Sequence, residues 1–197
     1  VCSRNDWELA KQPIDWDTKD MELNSGTISC IWNGFTMNGR EDEYAWTDPY
    51  VDNSQVFVVK SDSGIASFAD LAGKSVAVQT DSSAEAALKE DDNKDLLDSF
   101  KELVVVADYN TAFMNLDSDA VNAIAMDIGV AKYQMESRDG SYTILDDVLS
   151  AEQYAVGFAK SNTELRDKVQ KTLNDMRDDG TFQKIAEKWD LTDSIIQ

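Results

Sequence analysis

Short apolar runs alternate with helical segments along almost the whole chain, and this alternation restricts the fold more than any other feature. "SQVFVVK" (54–60), "SVAVQT" (75–80), "ELVVVAD" (102–108) and "AVNAIAM" (120–126) read as apolar strands. "SSAEAALKEDDNKDLLDSF" (82–100), "NTAFMNLDSD" (110–119) and "DIGVAKYQMES" (127–137) read as the helices between them. Strands separated by helices predict parallel sheets in an α/β protein.

The flanking segments complete the pattern. "WELAKQPI" (7–14) reads as an alternating strand, "DTKDMELNSG" (17–26) as a helix closed by Gly26, and "TISCIW" (27–32) as a buried strand. "SFADLAGK" (67–74) gives a short helix and "SYTIL" (141–145) a strand. "QYAVGFAK" (153–160) is a further strand. Two helices follow, 162–180 ending at Gly180 and "TFQKIAEKWD" (181–190). With no internal repeat, no low-complexity segment and two prolines, no disordered linker divides the chain. The 197 residues suffice for one large domain or two small lobes. If there are two lobes, strands join them, with "SQVFVVK" and "QYAVGFAK" as the outward and return crossings.

Charge narrows the partners. There are 38 acids against 18 bases and no histidine, a formal charge of −20. Such a field repels nucleic acid and anionic lipid, so neither is expected as a partner. The absence of histidine removes the commonest general base and metal ligand, and no cofactor or metal is expected. No run approaches the ~18 apolar residues that span a membrane. No charged-then-apolar start resembles a signal peptide, so any targeting segment was removed or not included. Cys30 reads as a small buried thiol, with a disulfide to Cys2 as the alternative in an oxidising compartment.

Ligands of open parallel sheets bind beyond the carboxyl ends of the strands. Asn33, Gly34, Thr36 and Arg40 follow "TISCIW", Ser82 and Ser83 follow "SVAVQT", and Asp127 follows "AVNAIAM". Ser82 and Glu85 stand at capping-box spacing, and a helix N-terminus favours an anion. Each residue also has a bland role: Ser82 and Asp127 can simply cap helices, Arg40 can be a surface arginine, and Thr36 can bond its own loop. As a set, however, an arginine, hydroxyls and a helix N-terminus suit a carboxylate, while an aspartate suits an ammonium. Together they describe a zwitterion site, as for a free amino acid. Phe35 and Tyr50 are the aromatics nearest that set and the candidates to flank a ligand side chain. Trp7, Trp16, Trp32, Trp46 and Trp189 are expected in the cores.

"SGTISCIWNGFTMNGREDEYAWTDPYV", "LAGKSVAVQTDSSAEAAL", "DAVNAIAMD" and "DDGTFQKIAEKW" together resemble the extracellular solute-binding proteins of family 3, the polar amino acid receptors of bacterial ABC importers. The resemblance implies a type II periplasmic-binding-protein fold, with two α/β lobes joined by two crossing strands and closing on a ligand. Lobe I would comprise 1–56 and 155–197, and lobe II 57–154. By motif, Arg40 would hold the ligand carboxylate, assisted by Thr36, Ser82 and Ser83, and Asp127 would take the ammonium. The backbone of Asn33 and Gly34 would face the ligand. "TMNGR" is one residue shorter between threonine and arginine than in many relatives, so Gly39 must ease a tighter turn.

Family members begin with a strand and helix ahead of the segment matching "WELAKQPI". By this comparison lobe I lacks them here, which would leave strand edges that favour dimerisation or strand exchange, or would leave ligand binding poor. The implied function is capture of a polar amino acid and its delivery to an ABC permease, on the extracellular face of the membrane, lipid-anchored, or in the periplasm. No covalent chemistry is required. The alternatives are an enzyme on the same fold, such as a cyclohexadienyl dehydratase, and a ligand-sensing module of a receptor.

Overall fold

Local signals start or stop several helices of this chain. The computed structural model describes residues 1–138, 140–189 and 191–196, so position 190 of the helix expected over 181–190 lies outside the described residues. The chain divides into one unit of Val1–Asp52 with Glu152–Gln197 and a second of Asn53–Ala151.

In the first unit, α1 (Lys19–Ser25) ends where Gly26 takes φ +79°, and the Gly26 amide bonds the Leu23 carbonyl. β1 (Ile31–Thr36) and β2 (Ala45–Trp46) both pair antiparallel with β8 (Ser150–Phe158). Alternation along β8 feeds two cores. Ala155 packs with Leu23, Ile31, Phe35, Tyr44 and Trp46. Val156 and Phe158 pack with Ala45 and with Val169 and Leu173 of α6 (Thr163–Asp178). Gly157 lies against the ring of Phe35, where a Cβ would meet ring carbons at 2.8 and 2.9 Å. Gly180, at φ +74°, separates α6 from α7 (Thr181–Lys188).

The second unit is a sheet buried on both faces. β3 (Val51–Lys60) pairs antiparallel with β6 (Ala123–Asp127) on one side and with β7 (Tyr142–Ile144) on the other. β4 (Ser75–Gln79) then pairs parallel with both β6 and β5 (Glu102–Val106). Phe57, Val59, Val76, Val78, Ala123 and Ala125 point to one core, with α2 (Ser83–Leu88) and α3 (Lys94–Ser99). Val58, Ala77, Ile124 and Met126 point to the other, with α4 (Tyr109–Asp117) and α5 (Ile128–Glu136). Because successive side chains face opposite sides, burying both faces demands the continuous apolar runs seen in the sequence.

Several expectations need correction. Segment 7–14 is not a strand, and residues 8–13 are exposed. Its alternation is suitable, but a strand exists only through a ladder, and among the described residues none reaches it. The strand expected over 27–32 runs instead from Ile31 to Thr36, because the turn after α1 returns the Ile28 amide to the Glu22 carbonyl. The helix expected over 82–100 is broken into α2 and α3, with Asn93 Nδ2 bonding the Ala87 carbonyl at 2.8 Å in the break. Sheets are only partly parallel, since β3 enters the second unit opposite to β6. Trp46 is buried and Trp7 and Trp16 pack on the cores, but Trp32 and Trp189 are 40% and 66% exposed. Cys30 is half-buried rather than enclosed.

The unit boundaries fall at 52/53 and 151/152, a few residues before the expected 56/57 and 154/155. Gln55 and Val56 already pair with Asp127 and Met126, while Tyr154 already pairs with Thr36. In both cases the ladder claims the residues before the strand ends. The chain thus passes outward within β3 and back within β8.

Candidate functional site

In the first unit the expected residues cluster on an irregular stretch of β1. Ile31 faces Gly157 and Phe35 faces Ala155, so β1 carries extra residues between those pairs, a bulge. Trp32, Asn33 and Gly34 make up that bulge. Gly34 sits at φ +86°, and its Cα lies so close to the Tyr154 ring that a Cβ would meet ring carbons at 3.0 and 3.1 Å. Asn33 is exposed. Bulges re-aim side chains and free backbone groups from the ladder, which is what a ligand-facing backbone requires.

The tight turn after Thr36 is real. The Arg40 amide bonds the Met37 carbonyl at 2.9 Å, with Gly39 third in the turn at φ +77°, where a side chain is disfavoured. Asn38 Oδ1 accepts from the Gln153 amide at 2.7 Å, and the Arg40 carbonyl accepts from Trp46 Nε1 at 3.0 Å. These bonds fix the turn to β8 and to the core. The Arg40 side chain therefore returns over β1: its Nη1 lies 3.5 Å from the Thr36 carbonyl, and its Cζ 5.6 Å from the Phe35 ring centroid. Thr36 is buried at 4% exposure.

Phe35 does not stand ready to flank a ligand. It is 1% exposed and packs against Trp16, Tyr44 and Trp46, with ring centroids 5.4, 5.1 and 4.8 Å away. Trp32 follows the buried Ile31, so alternation along β1 turns it to the opposite face, against Tyr50 at 6.5 Å. Burial pushes the Tyr50 hydroxyl up to about 12. Tyr44 is raised as well, first by burial and then by donating its hydroxyl hydrogen to Asp20. The Arg40 guanidinium acts in the opposite direction on it.

The second unit presents Ser82, Ser83 and Asp127. Ser82 is buried at 6% exposure and caps α2, its hydroxyl accepting from the Glu85 amide at 3.2 Å. The return bond of the expected capping box arrives one residue early, because Glu85 Oε2 accepts from the Asp81 amide at 2.6 Å. Asp81 itself stands at φ +54°. Ser83 is half-buried at the first position of α2, a helix of only six residues.

Asp127 ends β6 and caps α5. It is 7% exposed, and Oδ1 accepts from the Val130 amide at 2.9 Å. Oδ2 accepts from Asn53 Nδ2 at 2.5 Å. A carboxylate offers about four acceptor directions, so capping a helix and receiving a cation are compatible roles. Asn53 was not among the expected residues. It lies 74 positions from Asp127, and no local signal in the sequence connects them.

Among the described residues, no group of three or more His, Cys, Asp or Glu side chains is placed to hold a metal ion. No helix among them is long and apolar enough to cross a membrane. A hollow of about 500 Å³ lies at Lys60, Asp62, Asp117 and Tyr142. Polar groups of its lining already bond each other, Lys60 Nζ donating to the Asp117 carbonyl at 2.9 Å and the Tyr142 hydroxyl to Asp117 Oδ1 at 2.6 Å. A second, of about 420 Å³, is lined by Asp20, Asn24, Asp42, Glu43, Tyr44 and Lys160. Neither contains an expected site residue.

The bacterial extracellular solute-binding proteins, family 3, match residues 1–192. The arginine-binding extracellular protein ArtP of Bacillus subtilis (strain 168) is 28% identical over 96% of this chain and 73% of its own length. The substrate-binding protein of an ABC uptake transporter from Streptococcus pneumoniae, solved with bound histidine, superposes with a TM-score of 0.86. It is 33% identical over 95% of this chain and 78% of that one. The ancestral amino acid-binding protein AncCDT-1, a precursor of cyclohexadienyl dehydratase, superposes at 0.81 with 26% identity over 95% of this chain and 80% of its own.

Proposed function

The chain belongs to the bacterial extracellular solute-binding proteins, family 3, and from that membership we propose that it is the substrate-binding component of an amino acid ABC importer. Its fold is that of the type II periplasmic binding proteins. The observation that carries the functional reading is the match over residues 1–192, which takes in both units. The ligands named for these relatives, arginine and histidine among them, are free amino acids with a carboxylate and an ammonium in common.

Each unit carries one half of the matching charge complement. In the first, the tight turn folds the Arg40 guanidinium back over β1, beside the Thr36 carbonyl, where it is offered to a carboxylate. The bulged backbone at Asn33 and Gly34 adjoins it. In the second, the Asp127 carboxylate is oriented by the Val130 amide and by Asn53, and is offered to an ammonium, with Ser82 and Ser83 as hydroxyl partners for the carboxylate. Charge-assisted bonds of this kind are roughly twice as strong as neutral ones. Binding outside the cytoplasmic membrane, on its extracellular face or in the periplasm, and delivery to a permease complete the proposal.

A binding role needs no reaction, and a chain without histidine lacks the commonest general base. The likeness to AncCDT-1 keeps one enzymatic reading in view, dehydration of a cyclohexadienyl acid. Thermal shift against the twenty amino acids, with prephenate and arogenate turnover assayed in parallel, decides between them. A ligand at ~100 times its Kd stabilises by about 2.7 kcal/mol, and the rise should vanish in Arg40→Ala and Asp127→Asn. Turnover without an amino acid response would overturn the receptor reading.

A further inference from the structure

The chain has two cysteines, Cys2 and Cys30, and solute binding as argued above employs neither. Cys2 opens a single-turn helix, Cys2–Arg4, and its carbonyl accepts from the amides of both Asn5 and Trp7 at 3.0 Å. These two bonds close the chain on itself, so that Val1 and Trp7, on either side of the turn, both pack on the cluster of Ala45, Val156, Phe158, Val169 and Leu173. Cys30, the residue before β1, packs on the same cluster. Both thiols are free and partly exposed. Burial first, and then the nearby Cys2 sulfur, push the Cys30 thiol up to about 11.

We propose that Cys2 and Cys30 are a disulfide pair that closes under oxidising conditions and ties the N-terminal turn to the start of β1. The cross-link encloses segment 7–14, which is exposed over residues 8–13 and joined to no ladder among the described residues. It also anchors the strand that carries Asn33, Gly34 and Thr36. An extracytoplasmic compartment is where such a bond forms and persists.

With oxidised glutathione as oxidant the step balances. The Cys2 thiolate attacks one glutathione sulfur, breaking the S–S bond and expelling one glutathione thiolate. The Cys30 thiol then gives its proton to solvent and attacks the Cys2 sulfur, expelling the second glutathione. Two protein thiols are oxidised, one glutathione disulfide is reduced, and two electrons pass. Because burial keeps the Cys30 thiol protonated at neutral pH, the closing step accelerates as pH rises toward 11.

The test is intact mass under non-reducing conditions, after incubating the folded chain with oxidised glutathione at about pH 8 and quenching with acid. With two cysteines in the chain, a monomer lighter by two hydrogens and carrying no glutathione can hold only the Cys2–Cys30 bond. That product is expected, closing about tenfold or more faster than in guanidinium, where the native arrangement is lost. Cys2→Ser and Cys30→Ser should each abolish it. Retained glutathione, disulfide-linked dimers in place of the lightened monomer, or closure no faster than in guanidinium would overturn the proposal. The readout is independent of ligand binding, so either reading can fail alone.

Discussion

Substituting Gly34→Ala tests whether the bulge of β1 is built around a glycine for the reasons given. Two costs add at this position. A Cβ at φ +86° carries the left-handed penalty of ~1–2 kcal/mol. The same Cβ would stand 3.0 and 3.1 Å from Cε2 and Cζ of Tyr154, inside a ring that cannot move aside as a flexible chain end would. Overpacking of that kind costs ~1–3 kcal/mol. The variant should therefore lose about 2–5 kcal/mol, read from the urea midpoint with the m-value unchanged. Gly26→Ala separates the terms, because φ is +79° there and nothing lies within 4 Å of the added Cβ. Its loss should stop at ~1–2 kcal/mol. Adding Tyr154→Leu to Gly34→Ala removes the obstructing ring, so the double variant should be less destabilised than the sum, by about 1 kcal/mol of coupling. Equal losses for Gly34→Ala and Gly26→Ala, together with strict additivity in the double variant, would refute the packing argument.

Two further outcomes follow from the structure. Phe35→Ala removes a 1% exposed ring surrounded by three other aromatics, so it should cost ~3–5 kcal/mol in chemical denaturation. A stable variant with only weakened ligand binding would return Phe35 to the role expected from sequence. Asp179 is held down to about 2, from an ordinary 3.8, by the Thr181 hydroxyl, by the Thr181 amide and by the Arg4 guanidinium. A depressed carboxyl contributes stability in full above its ordinary value and loses it as pH falls through the folded value. In melting-temperature profiles between about pH 4 and 2, Asp179→Asn should therefore flatten the acid limb, and an unchanged slope would count against the linkage.

What could be read from the residues alone was whatever depends on near neighbours in the chain. Gly26 and Gly180 stop helices because they reach the left-handed region without a Cβ penalty. Ser82 and Asp127 start helices because their side chains reach an amide three residues on. The apolar runs identify strands of the second unit because burial on both faces leaves no room for polar alternation. Arg40, Thr36 and Asp127 are proposed for the site because strand ends are where such folds leave polar groups unclaimed by ladders. Tertiary structure decided the rest. Segment 7–14 has a strand's alternation and none of its ladder, since a strand is a property of a pair. Phe35 and Trp32 exchanged their expected surroundings because Leu23, Tyr44 and Trp46 cover the face of β1 that holds Ile31 and Phe35, a choice made by other segments of the chain. Asn53 reaches Asp127 across 74 positions, and Tyr154 fills the space beside Gly34. Interactions within a turn of helix are encoded where they occur, whereas pairing, register and the second partner of a charged group exist only once distant segments have met.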